Sequence, residues 1–183
     1  MRLRSLNFSQ LEGQPGEWTL RELFLGPVNL IVGRNATGKT RVVNLIRNFA
    51  RVISSRDDFV LHEGSFETEF EHESQSYKYE LKCTDKVVHE RLSVDGKQLL
   101  VRGKNGIGRI RAERLNQEIE FQSPDDQAAV ATRRDAIQHP FLEPLSRWAG
   151  SVYYYPFGTD LGRTHVMMLM KGPADSPLDP KDA

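Results

Sequence analysis

One stretch of eight residues constrains this chain more than any other feature. Residues 33–40 read Gly-Arg-Asn-Ala-Thr-Gly-Lys-Thr and fit the pattern G-x-x-x-x-G-K-[ST]. An apolar run at 28–32 precedes the stretch, as expected of a buried strand. Apolar residues recur at helical spacing after it, at Val42, Leu45, Ile46, Phe49 and Ile53. The order strand, glycine-rich turn, helix is therefore predicted.

This spacing is typical of a loop that binds the phosphates of a nucleoside triphosphate. Gly33 lets the chain turn sharply off the strand, and Gly38 lets backbone amides approach a phosphate with no Cβ in the way. Lys39 would reach the β- and γ-phosphates, and Thr40 would ligate Mg²⁺. The predicted binding residues are Gly33, Arg34, Asn35, Ala36, Thr37, Gly38, Lys39, Thr40 and Arg41.

Composition bounds the rest of the chain. With 183 residues, 38% of them hydrophobic, it can bury one core or one core plus a small appendage. Lysine and arginine number 25, as do aspartate and glutamate, so net charge argues neither for nor against nucleic acid. No apolar stretch is long enough for a membrane span, and Cys83 has no second cysteine to pair with, so a cytoplasmic protein is expected. We expect one lobe at 1–171 and a disordered, proline-rich tail at 172–183.

Extended segments dominate the predicted element order. Two strands are expected before the loop strand, and a β meander after the first helix, with Asp95-Gly96 as a hairpin turn. A helix capped by Ser123, a helix at 140–148 and a strand at 151–155 should follow. The predicted strands outside the loop are 3–8, 18–24, 66–71, 77–84, 87–94, 97–101, 108–112 and 118–122.

The opening Leu-Arg-Ser-Leu-Asn-Phe, ending at Asn7-Phe8, together with the loop, helix and meander, resembles the first half of the SMC/RecF/OLD branch of ABC-type ATPases. That branch includes overcoming-lysogenization-type and related prokaryotic defence ATPases, and the resemblance covers residues 1 to about 155. It implies an α/β fold, the ABC-type nucleotide-binding lobe of a P-loop NTPase, with a mixed sheet, an antiparallel β meander and a central helix after the loop. It also implies that ATP and Mg²⁺ are the ligands, with Lys39 and Thr40 holding phosphate and metal and Asn35 lining the γ-phosphate side.

The chain departs from that branch where hydrolysis is carried out. The branch relies on an apolar strand ending in Asp-Glu and on a Leu-Ser-Gly-Gly-like element from a partner, and neither is present. Ser9-Gln10 also stands where the branch places a lysine or arginine near the nucleotide. The catalytic residues are therefore unknown, and hydrolysis is expected only when a second half completes the site, supplied by a missing region, a homodimer or a partner chain. Glutamines that could bridge Mg²⁺ and water, or simply lie on the surface, are Gln122, Gln127 and Gln138.

Two other functions stay open. A small P-loop nucleotide kinase suits the chain length, although such chains alternate helices with parallel strands. A non-catalytic interaction module would use nucleotide as a structural ligand or not at all. DNA is a further candidate partner through the basic segment 103–114, which also reads as a solvated hairpin, and Trp18 could stack on adenine or simply pack on its strand. The scattered histidines do not have the spacing of a metal site.

Overall fold

The fold is built around one antiparallel sheet. The computed structural model describes residues 1–54 and 63–155, and eight strands of this part of the chain form a single sheet in the order β2-β1-β3-β4-β5-β6-β7-β8. The strands are β1 (Arg2–Gln10), β2 (Trp18–Phe24), β3 (Gly64–His72), β4 (Gln75–Cys83), β5 (Val87–Val94), β6 (Lys97–Arg102), β7 (Ile107–Ala112) and β8 (Gln117–Gln122).

The helical elements are few and mostly short. They are α1 (Lys39–Ser54), α2 (Ala129–Thr132) and α3 (Glu143–Gly150), with 3-10 turns at Lys104–Gly106 and Pro140–Leu142. The helix predicted at 140–148 is therefore confirmed, whereas the helix predicted from Ser123 is wrong, because residues 123–128 form no helix and α2 starts at Ala129. None of the described helices is long and apolar enough to cross a bilayer.

Strands β3 to β8 form a meander because each is joined to the next by a short turn and alternates buried with exposed residues. The turn between β5 and β6 is the predicted one, with φ of 50° at Asp95 and 79° at Gly96. The Asp95 carboxylate also accepts a hydrogen bond of 2.8 Å from the Ser76 amide. Asp95 therefore has a structural role in this turn, as the sequence suggests.

Helix α1 packs across the sheet and forms the centre of the core. Phe49 is fully buried and its ring lies 4.9 Å from that of Phe66, 6.0 Å from that of Tyr79 and 6.1 Å from that of Trp148. Trp148 belongs to α3, so the sheet, α1 and α3 share one aromatic cluster. This packing holds the start of α1, and hence the end of the loop, in a fixed place beside the sheet.

The predicted fold class is wrong. The α/β lobe with a mixed sheet requires parallel strands, with 28–32 among them, but every pairing in the described chain is antiparallel and 28–32 is not a strand. A parallel strand needs a neighbour that returns by a crossover, and the described chain returns by hairpins instead. A helix does start at the loop, but the architecture is a predominantly antiparallel sheet with few helices.

The strand predicted at 151–155 is also wrong, because these residues have no regular structure and Tyr153 and Tyr155 are exposed. Contacts divide the chain into a unit at 1–152 and a second unit at 153–183. The predicted tail at 172–183 lies outside the described residues.

Candidate functional site

The loop at 33–38 makes two backbone turns that explain its residue types. Ala36 and Gly38 have φ of 63° and 90°, in the left-handed region that glycine adopts without strain. A Cβ on Gly33 would lie 2.9 Å from the Thr37 hydroxyl, so this position has no room for a side chain. The Thr37 hydroxyl in turn donates a 2.8 Å hydrogen bond to the Arg34 carbonyl. The loop is thus a turn closed by the Thr37 side chain.

Lys39 lies across the inside of this turn. Its ammonium donates hydrogen bonds to the carbonyls of Gly33, at 2.8 Å, and Arg34, at 2.5 Å. Two carbonyl oxygens therefore orient the cation at the concave side of the loop. To contact an anion there, the ammonium would exchange a carbonyl for the anion without leaving the loop.

Helix α1 begins at Lys39, directly after the turn. Its first recorded backbone bond runs from the Val42 amide to the Gly38 carbonyl, at 3.1 Å, so the amides of Lys39, Thr40 and Arg41 precede the first intrahelical donor. They carry the positive end of the helix dipole, with no acidic residue in the first turn to neutralise it. Thr40 is exposed beside them. These groups match the needs of a phosphate and its metal.

The predicted site residues are therefore close to one another in the structure. Arg34 and Asn35 are exposed, and Gly38 and Lys39 are half-buried. The candidate glutamines are elsewhere: Gln122 ends β8, the strand at the opposite edge of the sheet from β2, and Gln127 and Gln138 follow it. No recorded contact among the described residues joins these glutamines to the loop.

The apolar segment before the loop is exposed to solvent. Val28, Leu30 and Val32 have 90, 86 and 76% of their surface exposed. Within this segment, the Asn29 side chain closes a turn with Gly26. It accepts a 2.9 Å hydrogen bond from the Gly26 amide and donates a 3.1 Å hydrogen bond to the Gly26 carbonyl. Ile31 is 39% exposed, so the run is mostly but not wholly open within the described chain, although branched apolar side chains of this kind prefer buried strands.

A groove runs along α1 from Arg41, next to the loop. The Arg41 guanidinium lies 4.1 Å above the Trp18 ring and donates a 3.2 Å hydrogen bond to the Gln10 side chain. Trp18 pairs with Gln10 across β2 and β1, and its ring packs 5.3 Å from that of Phe8. These contacts attach the first turn of α1 to one edge of the sheet.

Two of the four cations in the basic segment 103–114 have an acidic neighbour. Arg109 lies 3.8 Å from a Glu118 oxygen, and Arg111 lies 3.9 Å from one of Glu113. Paired charges of this kind produce only a weak external field. The described residues contain no group of three or more histidine, cysteine or acidic side chains that could hold a metal ion.

A buried ionic network, which the sequence prediction missed, joins the sheet to α2. The fully buried Glu90 accepts hydrogen bonds from the amides of Ala129, at 2.7 Å, and Val130, at 2.9 Å, and from the Tyr79 hydroxyl, at 2.9 Å. Arg102, also fully buried, lies 3.6 Å from Glu90. The alternation of β5 contained the signal, since Glu90 shares the face of Leu92 and Val94.

Burial dominates the electrostatics of this network. It raises the pKa of Glu90, although the Val130 and Ala129 amides, the Tyr79 hydroxyl and Arg102 all favour the carboxylate. Burial likewise raises the pKa of Tyr79 well above its ordinary value, with the Glu90 charge adding to the shift. The network has a structural role. Its strands, β5 and β6, are separated in the sheet by several strands from β2, the strand that precedes the loop.

No protein-family model matches the chain, and no curated protein matches it. The residues themselves therefore carry the functional argument.

Proposed function

We propose that the loop at 33–40 binds the triphosphate of Mg-ATP. The observation that carries this proposal is the left-handed turn at Ala36 and Gly38 leading directly into the start of α1 at Lys39. Such a junction offers backbone donors and a helix dipole to an anion, and a lysine lies inside it. The cytoplasm, where Mg-ATP is abundant and a lone cysteine stays reduced, is the proposed location.

Each group has a separate role. The loop amides and those of the first turn of α1 hydrogen-bond phosphate oxygens, and Asn35 and Arg34 border the γ-phosphate side. Lys39 exchanges its carbonyl partners for phosphate oxygens. The Thr40 hydroxyl would hold Mg²⁺, which neutralises phosphate charge when bound.

We further propose that hydrolysis requires a second half. The motifs that resemble the SMC/RecF/OLD branch stop short of an Asp-Glu strand, and the exposed run Val28, Leu30 and Val32 is the surface such a half would cover. A region of the same protein outside this sequence, a second copy or a partner chain could supply it. The antiparallel pairing of the described strands fits neither the parallel sheet of a nucleotide kinase nor the mixed sheet of the ABC-type lobe, so the choice between these functions rests on the motifs and on the turnover test.

The test is calorimetric titration of Mg-ATP into the full wild-type chain and into its Lys39→Ala variant, to compare their affinities. Losing a charge-assisted phosphate contact should cost about 1.5–3 kcal/mol, roughly ten- to 150-fold in affinity. Lys104→Ala is the matched control, because it removes an exposed lysine remote in sequence from the loop. Equal affinity of the two variants would refute the phosphate site and leave the module that is indifferent to nucleotide.

Turnover separates binding from catalysis. We expect no steady-state ATP hydrolysis by the chain alone, because the sequence lacks the apolar strand ending in Asp-Glu whose glutamate would polarise water. Ordinary turnover without a partner would disprove the need for a second half, while leaving the binding site intact. Phosphate transfer to a nucleoside monophosphate would support the kinase instead.

A further inference from the structure

We infer that the groove along α1 is a nucleoside site, in which the base of the bound nucleotide lies between α1 and the sheet. This inference rests on the proposed phosphate site at 33–40. It adds what the loop cannot provide, namely a means of telling a nucleotide from a bare polyphosphate.

The groove has the size and position that such a ligand requires. Its volume is about 340 Å³, at the lower end of the range for small-molecule sites. It starts at Arg41, the residue directly after Thr40, so a ligand held by the first turn of α1 can extend into it. The inner wall is apolar and buried and is made by Phe8, Leu45, Val52, Phe66 and Cys83.

Most of the polar lining of the groove comes from one face of α1, and Gln10 of β1 and the Glu63 carboxylate, which precedes β3, complete it. Asn44 and Asn48 are four residues apart, so both amides point along the same face as Arg41. Both are half-buried, and neither side chain makes a recorded hydrogen bond within the described chain. A carboxamide has two donors and an acceptor group, which complements the edge of a nucleobase. Two unused carboxamides above an apolar wall are the arrangement that orients a planar heteroaromatic ring.

The mouth of the groove supplies a stacking surface. The Arg41 guanidinium lies over the Trp18 ring, 4.1 Å from its centroid, and donates a hydrogen bond to the Gln10 side chain. Planar guanidinium and indole groups both stack on bases. Arg41 thus connects the two subsites, with its backbone amide in the first turn of α1 and its side chain at the groove.

The experiment compares Mg-ATP with Mg-tripolyphosphate, which has the phosphates but no base. We expect wild type to bind ATP at least about tenfold more tightly, since stacking alone contributes roughly five- to 150-fold for each base. Asn44→Ala and Asn48→Ala should each weaken ATP about two- to tenfold, the value of one hydrogen bond, and leave tripolyphosphate unchanged. Val43→Ala is the matched control on α1, exposed and outside the groove lining, and should change neither ligand.

A spectroscopic readout avoids reliance on affinity alone. Trp148→Phe leaves Trp18 as the only tryptophan, and ATP should then change its fluorescence whereas tripolyphosphate should not. If the two ligands bind wild type equally, and the asparagine variants match Val43→Ala, the nucleoside site is refuted while the phosphate site stands. If neither ligand binds, both proposals fail together.

Discussion

The meander and the segment before the loop contrast sharply, although both have strongly apolar sequences. In β5 and β6 the apolar side chains are buried, as with Leu92 and Leu100, which have no exposed surface. In 28–32 a similar run is open to solvent, with Leu30 86% exposed. The difference is one of partners: each meander strand finds its neighbour a few residues away, and 28–32 has none in the described chain. An apolar pattern shows that a segment needs cover and does not identify what covers it.

The buried pair Glu90–Arg102 tests the meander, whose strands cover one another. Its substitution should give the largest change in the free energy of unfolding. Arg102→Met leaves the Glu90 carboxylate buried without its cation, which should lower the free energy of unfolding by about 3–5 kcal/mol. Urea denaturation followed by circular dichroism measures the loss. Arg109→Met, on the next strand, makes the same change at a side chain 60% exposed and paired with Glu118, and should cost about 1 kcal/mol or less.

The double variant Glu90→Gln with Arg102→Met sharpens the result. It removes both charges, so it should be more stable than Arg102→Met alone even though it carries one more substitution. An Arg102→Met variant as stable as Arg109→Met would show that the network does not hold the meander to α2.

The sequence predicted the sheet well because its strands are local. All eight segments predicted outside the loop fall on strands: six differ by one or two residues at an end, and β2 and β5 match at both ends. Alternation and turn residues such as Asp95-Gly96 determine such strands without distant information. The fold class failed at 28–32, where the outcome depends on neighbours that the pattern does not contain.

The candidate site, too, has one part that the sequence could predict and one part that it could not. The loop residues are adjacent in sequence, so their proximity at the start of α1 was predictable. The groove was not, because Trp18 and Arg41 meet only after β2 and α1 pack on β1. Asn7 illustrates this dependence: its side chain accepts a 2.7 Å hydrogen bond from the Glu22 amide, at an irregularity in β1–β2 pairing that no local pattern encodes.

Raising the pH should lower the free energy of unfolding by an amount between the largest and the smallest effects predicted here, through groups buried in the packed region. Burial raises the pKa of Cys83 from 9.0 to about 12, and burial also raises the pKa values of Tyr77 and Tyr79 above 10.0. These groups keep their protons in the folded state and lose them on unfolding. Their contribution to stability is therefore complete below pH 9 and decreases as the pH rises towards 12, by up to about 1.4 kcal/mol per pH unit for each retained proton.

Cys83→Ala isolates the contribution of the thiol to this pH dependence of stability. Between pH 9 and 10 the wild type should lose stability more steeply than the variant, in urea titrations at matched ionic strength. Equal slopes would mean that the thiol is accessible in the folded state, contrary to its 2% exposure.

The smallest effect is expected at the open segment, and it provides the most direct comparison of the two regions. Leu30→Ala removes a side chain that is 86% exposed, so the free energy of unfolding should change by no more than about 0.5 kcal/mol. Leu100→Ala makes the identical substitution at a fully buried position in β6 and should cost about 2–5 kcal/mol. If Leu30→Ala proves as costly as Leu100→Ala, 28–32 is covered either within one protomer or by a second copy, and dilution distinguishes these two cases. A cost that disappears at low protein concentration would identify self-association as the cover, since stability gained from association follows mass action. A cost independent of concentration would place the cover within the chain and remove the main support for a separate second half.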